Sequence, residues 1–436
     1  MSVVRDVVKN TLSLGFAEIV TKFLAFLLIV IVARYLGDAE FGKYSFAFAF
    51  ALFVSILSDL GLSSLTIREI ARRNDQAGEY FGTILIIKLA LSIFSFTVLM
   101  VIINLMGYPS DTGLAVYLAG AYTILNSFNQ FFRSIFRAFE KMEYELIVRI
   151  VEYLLIFALA MLFIIQGYGL IAIISAFLFG EIVCFVLSAA LVVKRFTKPT
   201  FKYDLAFLRS IVTKALPFGL TAIFVVIYFK IDTVMLSLMS GYAVVGWYTA
   251  SYNIIEGLTA LVAGSVAGVL YPIYSRKFLH SEEHLKRIYL QSFQIMFIVG
   301  LLIALFVTFF SQTIVDILYG PEYAPAAATL SILIWAFFII CISNMTSTLL
   351  NAVNMQRIVV IGTGLGALVN VTLNLIFIPQ YGMVGAAWAT VITEVLGIGL
   401  YLYYSLRVLE IDRASGLLIG STLKENVQFL RNLIKQ

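Results

Sequence analysis

The sequence predicts an all-α polytopic membrane protein. It should hold twelve transmembrane helices in two six-helix lobes, related by a pseudo-two-fold axis along the membrane normal. Three observations carry this expectation. Of 436 residues, 61% are hydrophobic and 13% charged, against about 45–50% and about 25% in a soluble globular chain. Apolar stretches of the roughly 20 residues needed to cross the hydrocarbon recur along the chain. Landmarks of the first half return in the second. Such a chain cannot hide its apolar atoms in one or two soluble cores, which argues against a cytosolic enzyme, a secreted domain and a disordered protein. The runs are continuous rather than alternating, which argues against a β-barrel. Helices remain, because lipid offers the backbone no hydrogen-bond partners.

The first stretch, about 11–34, carries Glu18 and Lys22 on one helix face, four apart and within reach of an intrahelical pair. Its length and charges read as a span rather than a signal peptide. The second (about 43–66) carries Asp59 and the third (80–106) Lys88. In the fourth (114–136), Asn126, Gln130 and Arg133 form a polar stripe that continues to Arg137. Glu145, Arg149 and Glu152 repeat that spacing at the fifth (147–166). The two stripes either pair with each other or line a cavity. The sixth (169–193) carries Glu181. The seventh (213–239) opens on Pro217 and Gly219 and holds Lys230 and Asp232. Those two lie about 200° apart around a helix and should serve different pockets. The eighth (244–271) carries Glu256; the ninth (288–312) and tenth (326–352) carry no charge. The eleventh (355–378) places Asn370 and Asn374 on one face, and the twelfth (382–406) does the same with Thr390 and Glu394. Ten of these charges, Glu18, Lys22, Asp59, Lys88, Glu152, Glu181, Lys230, Asp232, Glu256 and Glu394, facing lipid at roughly 3 kcal/mol each would cost roughly 30 kcal/mol, more than a typical folding stability of about 5–15 kcal/mol. Most must therefore meet protein or a water-filled cavity.

Lys and Arg alternate along the connections. The N-terminus, the even-numbered connections and the tail are basic, whereas the odd connections have only Arg34 and Lys43 at their edges. Both termini should therefore be cytoplasmic, in a cell membrane. The repeat pairs Phe41-Gly42-Lys43-Tyr44 with Val245-Gly246-Trp247-Tyr248, Gln130 and Arg137 with Asn344 and Asn351, and Tyr168-Gly169 and Glu181 with Tyr381-Gly382 and Glu394. Six spans per half give both halves one orientation, with a site expected between the lobes near mid-membrane. The expected organisation is a lobe over 1–194, a cytoplasmic linker over 195–212, a lobe over 213–410, and an amphipathic tail over 411–436 lying on the inner leaflet.

Catalytic signals are poor. Cys184 and Cys341 sit in apolar runs and give no metal-ligand spacing. His280-Ser281-Glu282-Glu283-His284 spells an inverted zinc-peptidase motif in a basic loop without an evident third ligand, and reads as a solvated turn. Gly362-Thr363-Gly364-Leu365-Gly366 lies inside a span, where small residues let helices approach closely.

Several further segments are familiar together. They are Arg34-Tyr35-Leu36-Gly37 before Phe41-Gly42-Lys43-Tyr44, Phe139-Glu140-Lys141-Met142, Asp232, Leu318-Tyr319-Gly320-Pro321-Glu322-Tyr323, and Asn374-Leu375-Ile376-Phe377-Ile378-Pro379 running into Tyr381-Gly382-Met383-Val384-Gly385-Ala386-Ala387. In this order, over about residues 5–410, the chain resembles the Wzx-like polysaccharide biosynthesis proteins, flippases for lipid-linked oligosaccharide. Their superfamily also holds the lipid II flippase MurJ and the MATE exporters. The resemblance implies a MATE/MurJ-like V of two lobes, alternating access, and a cavity lined mainly by spans 1, 2, 7 and 8. The cargo would be an oligosaccharide on a polyprenyl phosphate or pyrophosphate, and the partners membrane lipids rather than nucleic acid, with the protein a monomer. Glu18, Lys22, Asp59, Arg133, Lys230 and Glu256 are the expected cavity residues, with Lys22 and Lys230 suited to phosphate. No cofactor is expected beyond a coupling ion, Na+ or H+. The sodium site of MurJ-like proteins maps to Asp232, Asn370, Asn374, Ala386 and Thr390. Asn374 departs from that pattern, where a carboxylate stands, and should weaken cation binding or shift coupling to protons. A MATE-like organic-cation antiporter is the alternative. A membrane-embedded transferase is a third reading, which Asp38, Glu40, Asp111, Asp316 and Glu322 of the outer loops support with no motif.

Overall fold

The computed structural model describes residues 2–201, 204–278 and 282–409, with side chains at 22–201, 204–278 and 283–409. Among these residues every element is helical and no strand occurs. The chain divides into two compact units, Met1–Thr249 and Ala250–Gln436.

In the first unit, α1 (Ser2–Ser55) breaks at Gly37, whose φ of 74° lies where L side chains are disfavoured. A short 3₁₀ turn (Ile56–Ser58) and α2 (Leu62–Arg72) complete the second predicted stretch with a bend of 41°. Then follow α3 (Ala77–Leu105), α4 (Ser110–Ala138), α5 (Met142–Ile165), α6 (Leu170–Arg195), α7 (Leu205–Met239) and the start of α8 (Tyr242–Thr259). Asp204 caps α7: its Oδ1 accepts from the backbone of Ala206 and Phe207 at 2.8 and 3.2 Å, satisfying two of the donors a helix start leaves over. The centre of the unit is α4, which packs against α1, α2, α3, α5 and α6. Phe128, Phe131, Phe132 and Phe136 form its apolar face, against Leu62, Leu65, Phe81 and Ile84. α7 lies against α1 and α2.

The second unit begins inside α8. A π-helical turn (Ala260–Gly264) leads to α9 (Ser265–Phe278), then α10 (Glu282–Leu318), α11 (Ala326–Ala352) and α12 (Gln356–Val408). α11 is the buried centre here, against α9, α10 and α12. α12 breaks at Gly382 (φ 55°, ψ −133°) and doubles back. Tyr401 Oη donates to the Val359 carbonyl oxygen at 3.2 Å, and Gly362 leaves room for the Tyr401 ring.

Eight continuous helices, or nine with the bent pair, are long and apolar enough to cross a membrane among the described residues. The twelve predicted stretches exceed that number for identifiable reasons. α12 carries two of them across Gly382, and the bent pair of α1 and α2 carries two across Gly37. α4 falls outside the eight, its polar stripe diluting its hydropathy. The units divide inside α8, whereas the lobes expected over 1–194 and 213–410 rest on sequence correspondence. The amphipathic tail at 411–436, with His280 and Ser281 of the histidine motif, lies outside the described residues; His284 is exposed at the start of α10.

Candidate functional site

Two assemblies of polar side chains stand out in the first unit. The first lies where the repeated glycines fall. A Cβ on Gly42 would meet the carbonyl oxygen of Tyr242, and a Cβ on Gly246 would meet that of Asp38. Each glycine thus receives the carbonyl four residues before the other. The two copies of the repeated segment cross reciprocally, as a pseudo-two-fold requires locally. Polar and aromatic contacts surround the crossing. Lys43 Nζ binds Glu40 at 2.8 Å and Asp111 at 2.6 Å. Tyr242 Oη donates to Thr112 Oγ1 at 3.2 Å, and Tyr108 and Ser237 hydroxyls are 3.2 Å apart. The rings of Phe46, Tyr108 and Tyr242 gather beside them. The hydrogen bond from Lys43 holds the Asp111 carboxyl below the usual carboxylate range.

The second assembly is inside the helix bundle. Lys88, with no exposed surface, puts Nζ 2.6 Å from Asp59 Oδ1 and 2.7 Å from Ser127 Oγ. Arg133 Nη1 donates to Glu152 Oε2 at 2.8 Å, both side chains buried. Arg137 makes two bonds to Glu145, at 2.7 and 2.6 Å, and Arg149 reaches the same carboxylate at 3.0 Å. The stripes on α4 and α5 therefore pair with each other, one of the two outcomes their spacing allowed. Glu181 Oε1 accepts from the amides of Asn129 (2.6 Å) and Asn126 (3.2 Å).

The expected cavity residues scatter accordingly. Asp59 and Arg133 are held by Lys88 and Glu152. Lys22 is exposed on α1, and Lys230 is half-buried on α7. Glu256 is exposed in the second unit. The side chain of Glu18 lies outside the described residues. Asp232 is 2% exposed and accepts from Tyr248 Oη at 2.6 Å. Of the expected sodium ligands, Asp232 belongs to the first unit and the rest to the second. There, Asn374 donates to Asn370 Oδ1 at 2.9 Å, and Thr390 Oγ1 to the Ala386 carbonyl at 3.1 Å. All four are buried. Their oxygens are hard donors suited to a small monovalent cation. Among the described residues, no group of three or more His, Cys, Asp or Glu side chains gathers as a harder-charged metal centre would need. Sequence reasoning noted Lys88 and Glu181 as intramembrane charges but assigned them no site. The amides at 126 and 129, one helical turn apart and facing Glu181, were the available signal.

Helices of this length and apolarity define a multi-pass membrane protein, with its charges held in pairs between helices. The family described as "Polysaccharide biosynthesis protein" matches residues 7–278, and the chain belongs to it. The MatE family matches residues 217–376, in keeping with the Wzx-like resemblance read from the sequence. A Haloferax volcanii protein named "Probable low-salt glycan biosynthesis flippase Agl15" is 25% identical over 92% of this chain and 83% of its own length. The fold is similar to that of the lipid II flippase MurJ in an inward closed conformation, with TM-score 0.75 and 19% identity over 98% of this chain and 100% of that one. It is also similar to an inward-facing multidrug resistance MATE transporter, with TM-score 0.72 and 17% identity over 93% and 99%.

Proposed function

We propose that this protein is a flippase. It moves oligosaccharide linked to polyprenyl phosphate or pyrophosphate from the cytoplasmic to the outer leaflet by alternating access, coupled to Na+ or H+, for surface polysaccharide or glycan synthesis. The similarity to a glycan biosynthesis flippase over 92% of the chain carries this reading. The physical task fits: a polar headgroup crosses hydrocarbon unaided only by giving up its hydrogen bonds to water without replacement. A charged path lowers that barrier. Lys22, exposed, and Lys230, half-buried, lie on spanning helices, where an ammonium attracts phosphate as a point charge. The reciprocal glycine crossing is the outer gate in its closed form, and both termini are cytoplasmic.

Lys22→Ala and Lys230→Ala should each lower flipping of lipid-pyrophosphate sugar in proteoliposomes at least tenfold with normal membrane levels. Full transport by both variants rules out the phosphate role. The MATE-like reading draws on the match at residues 217–376. Tight binding of organic cations, with none of lipid-pyrophosphate sugar, would favour it.

A further inference from the structure

Glu181 and Asn129 are both fully buried, on α6 and α4. The Asn129 amide donates to Glu181 Oε1 at 2.6 Å, with Asn126 at 3.2 Å. Two buried acceptors of this pair have no hydrogen-bond partner: Glu181 Oε2 and Asn129 Oδ1. Buried polar atoms are nearly always satisfied, and an exception needs a reason. Charge counting adds a second anomaly. The ionisable groups facing Glu181 are Arg133 and Tyr122 of α4, Glu152 and Tyr153 of α5, and Cys184 of its own helix, with Tyr44 of α1 beyond the Phe177 ring. Arg133 already binds Glu152 at 2.8 Å. Around Glu181, two carboxylates therefore share one guanidinium, since Arg137 and Arg149 are bound to Glu145; the Glu181 carboxylate has no cation of its own, buried where an uncompensated ion is strongly disfavoured.

We propose that Glu181 is a proton-binding site. A hydronium ion from solvent gives one proton to Oε2 and leaves as water: one O–H bond of hydronium breaks, one forms at the carboxyl, the group goes from −1 to neutral, and nothing is oxidised or reduced. The new O–H is a donor where both orphaned atoms are acceptors, since a carboxylic acid and an amide can each donate to the other. The cluster is then neutral. Release of the proton restores the surplus charge and the unsatisfied oxygens, so the two states favour different packing of α6 against α4. The proton is thereby placed in the first unit, remote in sequence from the oxygen set expected to hold sodium. As the coupling ion of transport, it deepens the flippase reading and rests on it; as a binding site, it stands alone.

Infrared spectroscopy of the purified full-length protein tests the binding site. The native chain should show a protonated carboxyl band that disappears at high pH; Glu181→Gln should lack it at every pH, and Glu145→Gln should retain it. Should Glu181→Gln fail to reach the membrane, Asn129→Val, which keeps the acid and removes its amide, should shift the band. A band unchanged in Glu181→Gln, or one removed by sodium rather than by pH, overturns the proposal. In proteoliposomes, the ratio of flipping rates with and without an imposed proton gradient should fall to one in Glu181→Gln. A missing band with intact flipping defeats the proton site and leaves the flippase reading. A titrating band with no flipping of any lipid-linked sugar does the reverse.

Discussion

Lys88 illustrates what single residues demand in this protein. An ammonium with no exposed surface survives only beside a counter-charge, and Asp59 supplies it at 2.6 Å. Removing the partner of a buried charge strands it and costs about 3–5 kcal/mol. Asp59→Asn, which strands the fully buried Lys88, should therefore lower the stability of the detergent-solubilised protein by about that much, and adding Lys88→Met should recover most of it. A double variant no more stable than Asp59→Asn would mean that the pair does not act as a unit. The sequence exposed both charges but not their partnership. They sit 29 residues apart, Asp59 in the turn before α2 and Lys88 on α3, and helical periodicity relates only residues on one helix. Arg133 and Glu152 were easier. Each belongs to a stripe at helical spacing on adjacent spans, so pairing between the stripes was a visible option. Lys230 and Asp232 also follow from periodicity, being two apart with one half-buried and the other buried.

Among the elements, the two long helices α1 and α12 each break at a glycine with positive φ, Gly37 and Gly382, where a Cβ would be strained by on the order of 1–3 kcal/mol. The crossing at Gly42 and Gly246 depends instead on contact. Each lacks a side chain where the other segment's carbonyl oxygen sits, and that oxygen belongs to backbone, which cannot rotate aside. Gly246→Ala should force the segments apart. A cysteine at Ser237, whose hydroxyl now lies 3.2 Å from that of Tyr108, should then react faster with an impermeant thiol reagent applied from outside, and flipping should slow. Equal reactivity with and without Gly246→Ala would argue against a gate at this crossing. The glycines were legible as a repeated motif. Their reciprocal fit was not, because it requires two segments more than 200 residues apart to touch.

For the whole molecule, a sodium ion held at Asp232 would stabilise the folded chain by mass action, because the unfolded chain has no such site. Asp232→Asn should abolish any rise in melting temperature with sodium, whereas a full response in that variant, or none in the native protein, counts against the site. A membrane-spanning chain with this composition was decided by the sequence itself. So were the positions of the apolar stretches, the basic connections and the repeated landmarks, because hydropathy and charge are local properties that water and lipid sort without reference to partners. Only the tertiary structure decided which charges meet. Asp59 with Lys88, Arg133 with Glu152, and Glu181 with two amides depend on which helix faces meet. That choice follows from side-chain packing between helices, where lipid supplies no competing polar partner.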